Sequence, residues 1–175
     1  MGVLMASEAF RPEPQTDWAV IKPQIESMFK GLEGLTEKLD SDGPGYAIVS
    51  PYGDMGMFLA ELPGKISTLT GGWAVFASCN DSDFDLLELY HNGQLLDKCY
   101  VGECFEDFFE EDDEEIGYGK PNLEKWLPLL LNAGQRPELD QALGEVDVFA
   151  EENLRLLSEL TGLPIFDDEL MLALE

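Results

Sequence analysis

Apolar residues recur at Ile25, Met28, Phe29, Leu32, Leu35 and Leu39, a three-four spacing that predicts one face of a helix. Pro23 suits its first turn, where a missing N–H costs little, and Asp40-Ser41-Asp42-Gly43-Pro44-Gly45 ends it. Before it, residues 1–15 contain Arg11-Pro12-Glu13-Pro14 and read as a loose lead-in. The middle of the chain is strand-like. Short runs cover Tyr46 to Ser50, Met57 to Leu62 after a Pro51-Tyr52-Gly53-Asp54 turn, and Gly72 to Cys79. Phe84 to Tyr90 and Leu95 to Val101 flank His91-Asn92-Gly93, whose Asn-Gly pair supplies the positive φ of a tight hairpin. Leu87, Leu89, Leu95 and Cys99 alternate with polar neighbours, as in a sheet with one wet face.

Helical spacing then returns. Leu123, Trp126, Leu127, Leu130 and Leu131 mark a helix over 122–132 that Pro128 splits or kinks. Glu138 to Leu143 predicts a short helical turn closed by Gly144. Phe149, Leu154, Leu157 and Leu160 share a face that ends at Gly162, and Asp167 to Leu174 forms a terminal helix. The order predicts an α+β class: a single domain over 16–175, an antiparallel meander with the N-terminal helix and the C-terminal helices packed on one face.

Charge changes what this fold is expected to do. Thirty-six acids face ten bases, a formal −26. Such a field repels nucleic-acid phosphates and anionic lipid and attracts cationic partners. Nucleic acid and membrane are therefore excluded as partners, and a basic protein is favoured. Cys79, Cys99 and Cys104 are odd in number, no leader pattern opens the chain, and no apolar run reaches membrane-spanning length. A cytoplasmic protein with free thiols is expected.

Candidate chemistry is sparse. Asp81, Asp83 and Asp85 have the opening rhythm of a calcium loop, but Leu86 stands where the glycine is required and Asn92 where the closing glutamate is. The lone His91 sits in a turn, and the cysteines lack paired zinc spacing. No catalytic set and no cofactor is expected. The alternative is a small enzyme or divalent-metal-dependent protein using Asp81 and Asp83. What stands out is ECFEDFFEEDDEE, residues 103–115, with nine acids in thirteen positions and no base. Phe105, Phe108 and Phe109 are spaced to anchor or contact through one face. Glu106, Asp107, Glu110, Glu111, Asp112, Asp113, Glu114 and Glu115 form a cation-facing surface beside them. Together with Asp81 and Asp83 these are the expected partner-binding residues.

The runs Trp73-Ala74-Val75-Phe76, Asn80-Asp81-Ser82-Asp83 and Leu87-Glu88-Leu89-Tyr90, with Asn92-Gly93 and Asp97, form a recurrent pattern. The acidic aromatic loop follows, then Phe149-Ala150-Glu151-Glu152 leading to Leu157 and Leu160-Thr161-Gly162-Leu163. Over about residues 70–165 this is similar to small acidic, largely bacterial α+β proteins that pair an antiparallel sheet with C-terminal helices. That resemblance brings no catalytic residues. By composition the chain also resembles immunity proteins, which cover the cationic active site of a toxin. The implied function is a non-catalytic acidic binding protein, an immunity or antagonist type that docks a basic protein.

Overall fold

The computed structural model describes residues 3–40, 45–51, 59–102, 117–146 and 149–173. Its centre is a six-stranded antiparallel sheet in the order β2-β3-β1-β4-β5-β6. The strands are β1 (Leu4–Arg11), β2 (Thr36–Lys38), β3 (Tyr46–Pro51), β4 (Trp73–Asn80), β5 (Phe84–His91) and β6 (Gln94–Val101). The described helices are α1 (Trp18–Met28), α2 (Leu62–Thr70), α3 (Leu123–Trp126), α4 (Arg136–Ala142), α5 (Ala150–Thr161) and α6 (Asp168–Leu172). The α+β class and the β4–β5–β6 meander are as expected from the sequence, and Asn92 (φ 47°) and Gly93 (φ 79°) make the expected tight turn.

The segment expected as a loose lead-in contains a central strand of the sheet. Residues 4–11 form β1, which pairs with β3 on one side and β4 on the other. Met5 through Phe10 are fully buried because helices cover both faces of this strand. A doubly covered strand has no wet face, so Met5-Ala6-Ser7-Glu8-Ala9-Phe10 shows no alternation of apolar and polar residues.

The helices are likewise divided between the faces, where packing on one face was expected. Met5, Ala9, Val75, Ala77, Leu87 and Leu89 point to a core closed by Trp126, Leu139, Leu154, Leu157 and Leu160 of the C-terminal helices. Ala6, Phe10, Ile48, Ala74 and Phe76 point the other way, to Ile25 of α1 and Leu62 and Ile66 of α2. Ser7 marks the first side by donating from Oγ to the Ile165 carbonyl (2.7 Å).

Two further expectations shift. The helix predicted from Ile25 to Leu39 lies instead at Trp18–Met28, with Pro23 inside it. Gly31 (φ 85°) and Gly34 (φ 83°) turn the chain, and Thr36–Lys38 becomes an edge strand. The strand expected from Met57 to Leu62 falls partly outside the described residues, but Leu59 and Ala60 are helical and α2 follows. The sequence around α2 hid it, because Gly64, Ser67, Thr68 and Thr70 are weak helix formers and only packing holds them helical.

Both sheet edges are attended. Gly119 pairs with β6, its N–H donating to Lys98 O (3.0 Å) and its carbonyl accepting from Tyr100 N (2.9 Å). Asp97 on β6 anchors α3 by accepting from Asn122 N (2.9 Å) and the Trp126 indole N–H (2.8 Å). At the opposite edge Lys38 of β2 meets Asp167 at 2.7 Å, ahead of α6. Such covers discourage further strand addition. Among the described residues, no helix is long and apolar enough to cross a membrane.

Candidate functional site

The β4–β5 hairpin carries Asp81 and Asp83 at one pole of the sheet. Asp81 (φ 54°) and Ser82 (φ 63°) are both left-handed, and the Asp83 N–H donates to Asn80 O (3.1 Å). Aspartate tolerates this region better than most residues, which suits it to a turn. Ser82 fastens the turn from both sides. Its Oγ accepts from Val3 N (2.8 Å), and its carbonyl accepts from Ala150 N (2.9 Å) at the start of α5. Asp81 and Asp83 are exposed, while Asp85, next in the alternate rhythm, turns inward.

The end of β6 comes to the same pole. Gly102 has φ +119°, and a Cβ there would lie 2.7 Å from the Asp83 carbonyl oxygen and 3.0 Å from Phe84 Cβ. Only glycine lets the strand exit press so closely on the hairpin. The last described residue of this strand exit, Gly102, therefore lies directly beside Asp83, and the acidic segment follows it in the sequence. The expected contact residues Phe105, Glu106, Asp107, Phe108, Phe109 and Glu110 to Glu115 lie outside the described residues. Next to this exit a cavity of about 530 Å3 is lined by Tyr100, Gly102, Lys120, Pro121, Leu143, Gly144 and Glu145. Among the described residues, no group of three or more His, Cys, Asp and Glu side chains is placed to hold a metal ion.

No protein-family model, curated protein or solved structure matches the chain.

Reading the sequence for exposed acids missed the buried ones. Asp85 is fully buried, opposite Cys79 on β4 and Val101 on β6, and among the described residues no N–H or O–H donor reaches its carboxyl oxygens, which have only the weak donor of the Cys79 thiol beside them. Glu151, in the first turn of α5, also has a buried oxygen without a partner. Burial pushes the Asp85 carboxyl well above the usual aspartate range; the Cys79 thiol pulls against this, and the Glu151 charge adds to the rise. Burial likewise raises the thiols of Cys79, beside Asp85, and Cys99, beside Asp97. A thiol held protonated is a poor nucleophile and a poor metal ligand. His91 is occupied in another way, stacked on Trp73 at 4.1 Å and 3.5 Å from a Glu13 oxygen.

A raised folded-state carboxyl means that the folded chain binds its proton more tightly than the unfolded chain. The stability linked to Asp85 is therefore present below the ordinary aspartate range and is lost as pH rises through the raised folded value. Asp85→Asn removes the ionisation, so its thermal midpoint at pH 7 is expected above that of the native chain. The gain is about 2–4 °C for each kcal/mol recovered. Melts at pH 5 and pH 7 check this, and a variant less stable than the native chain at pH 7 would refute it.

On the opposite face, the registers place Ile48, Glu8, Phe76, Glu88 and Lys98 in one row across five strands. Glu88 is well provided for. Tyr90 OH donates to its Oε2 (3.1 Å) and Tyr118 OH to its Oε1 (3.2 Å), and Lys98 Nζ lies 3.7 Å from that oxygen. Lys98 also sits 4.5 Å over the Tyr118 ring. Glu8 is fully buried, and neither of its oxygens has a hydrogen-bond partner among the described residues.

Proposed function

We propose that this chain is a non-catalytic acidic binding protein. It docks a basic protein partner through the hairpin acids Asp81 and Asp83, which lie beside Gly102, together with the Glu103–Glu115 segment that follows Gly102 in the sequence. The observation that carries this reading is the close approach of Gly102, the residue that precedes the most acidic stretch of the sequence, to Asp83 of the exposed hairpin. Of the described cations, Lys120 lines the cavity beside Gly102, and five others are engaged by acids. Lys22, Lys38, Lys98, Arg136 and Arg155 each pair with an acid of the same chain.

An acidic pole of this kind accelerates encounter with a cationic surface and selects against anionic ones. Desolvation of Phe105, Phe108 and Phe109 against the partner would supply affinity. The protein would act as an immunity-type antagonist does, by covering a basic surface rather than by turning over a substrate.

The test is affinity capture with the full chain, at about 0.1 M and about 1 M salt, where the Debye length falls from about 10 Å to about 3 Å. The expected result is recovery of a basic protein at low salt, its loss at high salt, and its loss from a variant carrying Asp81→Asn, Asp83→Asn and neutralised Glu110 to Glu115. If the neutralised variant retains the same partner at the same salt, the acidic pole is not the docking surface.

A further inference from the structure

We propose that Glu8 is a proton-operated latch that holds the α1–α2 layer on the sheet. Glu8 lies in the middle of the central strand, and its neighbours on the same face, Ala6 and Phe10, belong to the core formed with Leu62 and Ile66 of α2 and Ile25 of α1. A buried carboxyl with no donor to it is tolerated as the neutral acid and opposed as the anion.

Among the described residues, the groups around it offer no cation. From β3 come Ile48 directly opposite and, diagonally, Tyr46, whose ring stacks on Trp18, and Ser50, whose buried hydroxyl also has no partner among the described residues. From β4 come Phe76 opposite and Ser78 diagonally. From β5 come Glu88 and Tyr90, two strands away on the same face and so about 10 Å distant between backbones. Lys98 on β6 and Tyr118 are engaged with Glu88. The only ionisable side chain of α2, Lys65, is exposed, and those of α1, Lys22 and Glu26, pair with each other outside the core. Burial, with the Glu88 charge second, holds the Glu8 carboxyl well above the usual glutamate range.

The layer above Glu8 is the part of the molecule suited to respond. A helix of nine residues built on Gly64, Ser67, Thr68 and Thr70 has little stability apart from its packing. Its polar ties to the neighbouring turns run through Ser67, whose Oγ donates to Gly72 O (2.7 Å) and accepts from Gly93 N (2.9 Å), and through the Thr70 carbonyl, which accepts from Thr16 Oγ1 (3.0 Å) and Glu13 N (3.3 Å). Ionising Glu8 beneath it favours any opening that admits water, and the lowest-stability unit opens first. The sign follows from linkage: closure is fully supported below the ordinary glutamate range and weakens as pH rises toward the raised folded value. Over that window one proton is released per opening, so the opening equilibrium rises about tenfold per pH unit.

Amide hydrogen exchange on the full chain, followed by peptide mass and normalised to the intrinsic rate at each pH, reads this directly. In the native chain α2 peptides are expected to open about tenfold more per pH unit from about pH 5 upward. Glu8→Gln should abolish the slope, and Asp85→Asn, on the other face, should leave it in place. A slope that survives Glu8→Gln, or one that vanishes with Asp85→Asn, overturns the latch. So does a native chain whose normalised α2 exchange is the same at pH 5 and pH 7, a result that requires no variant to fold.

Discussion

Removal of Met1 to Arg11 is expected to leave a chain that does not fold. The segment looks dispensable in the sequence, yet it supplies the strand that joins the two halves of the sheet. Met5 to Pro51 through Phe10 to Tyr46 forms the register on one side, and Leu4 to Asn80 through Arg11 to Trp73 forms it on the other. Without β1 the sheet separates into β2–β3 and β4–β5–β6, each with a newly exposed edge. Burial of Met5 and Phe10 alone is worth about 1.5–3 kcal/mol each, against a whole-domain stability of about 5–15 kcal/mol. Two rows of backbone hydrogen bonds and the Ser7 tie to Ile165 are lost as well. Far-UV circular dichroism and amide proton dispersion should show an unfolded or aggregated chain. A truncated protein with a cooperative melt near the native midpoint would mean that β1 is peripheral after all.

What could be read without coordinates follows a physical division. The β5–β6 hairpin was legible because Asn92-Gly93 has a backbone requirement that few other pairs meet. Helix α5 was legible because Leu154, Leu157 and Leu160 meet one core while the opposite face is wet, and Gly162 stops it. Elements in contact on both sides, or held only by neighbours, left no such trace. β1 is covered above and below, and α2 is made of residues that prefer other conformations. The two-sided arrangement of helices followed from neither, since it depends on which face of β1 each side chain takes.

The site divides in the same way. Asp81 and Asp83 were legible as exposed turn acids. Asp85 continues their spacing, yet it sits inside the strand with Cys79 opposite, so an alternate rhythm of acids crosses from solvent to core at Phe84. Glu8 was hidden because a buried carboxyl without a partner breaks the rule by which buried positions are inferred. Violations of that kind concentrate where a protein holds something in reserve, which makes Glu8 and Asp85 more informative than the many acids at the surface.

Gly72→Ala is expected to be among the most damaging single substitutions in the described structure. A Cβ at this position would lie 2.1 Å from the Arg11 carbonyl oxygen and 2.9 Å from Pro12 C and Cα. All three are backbone atoms, so no side-chain rotation relieves the overlap. Nor can Gly72 itself move freely. Its carbonyl accepts from Ser67 Oγ (2.7 Å) and Asn92 N (3.0 Å), and the next residue, Trp73, is in register with Arg11 on one side and His91 on the other. Relief therefore requires displacing the end of β1 or the start of β4, which disturbs three strands and the α2 tie together. Overpacking of this kind costs about 3 kcal/mol, equivalent to about 6–12 °C in thermal midpoint for a chain of this size. Gly119→Ala is the matched control, because a Cβ there meets nothing within 4 Å, and it should stay within about 0.5 kcal/mol of the native chain. Paired thermal and urea melts decide the matter. If Gly72→Ala melts with the control, the end of β1 yields more easily than its two registers imply.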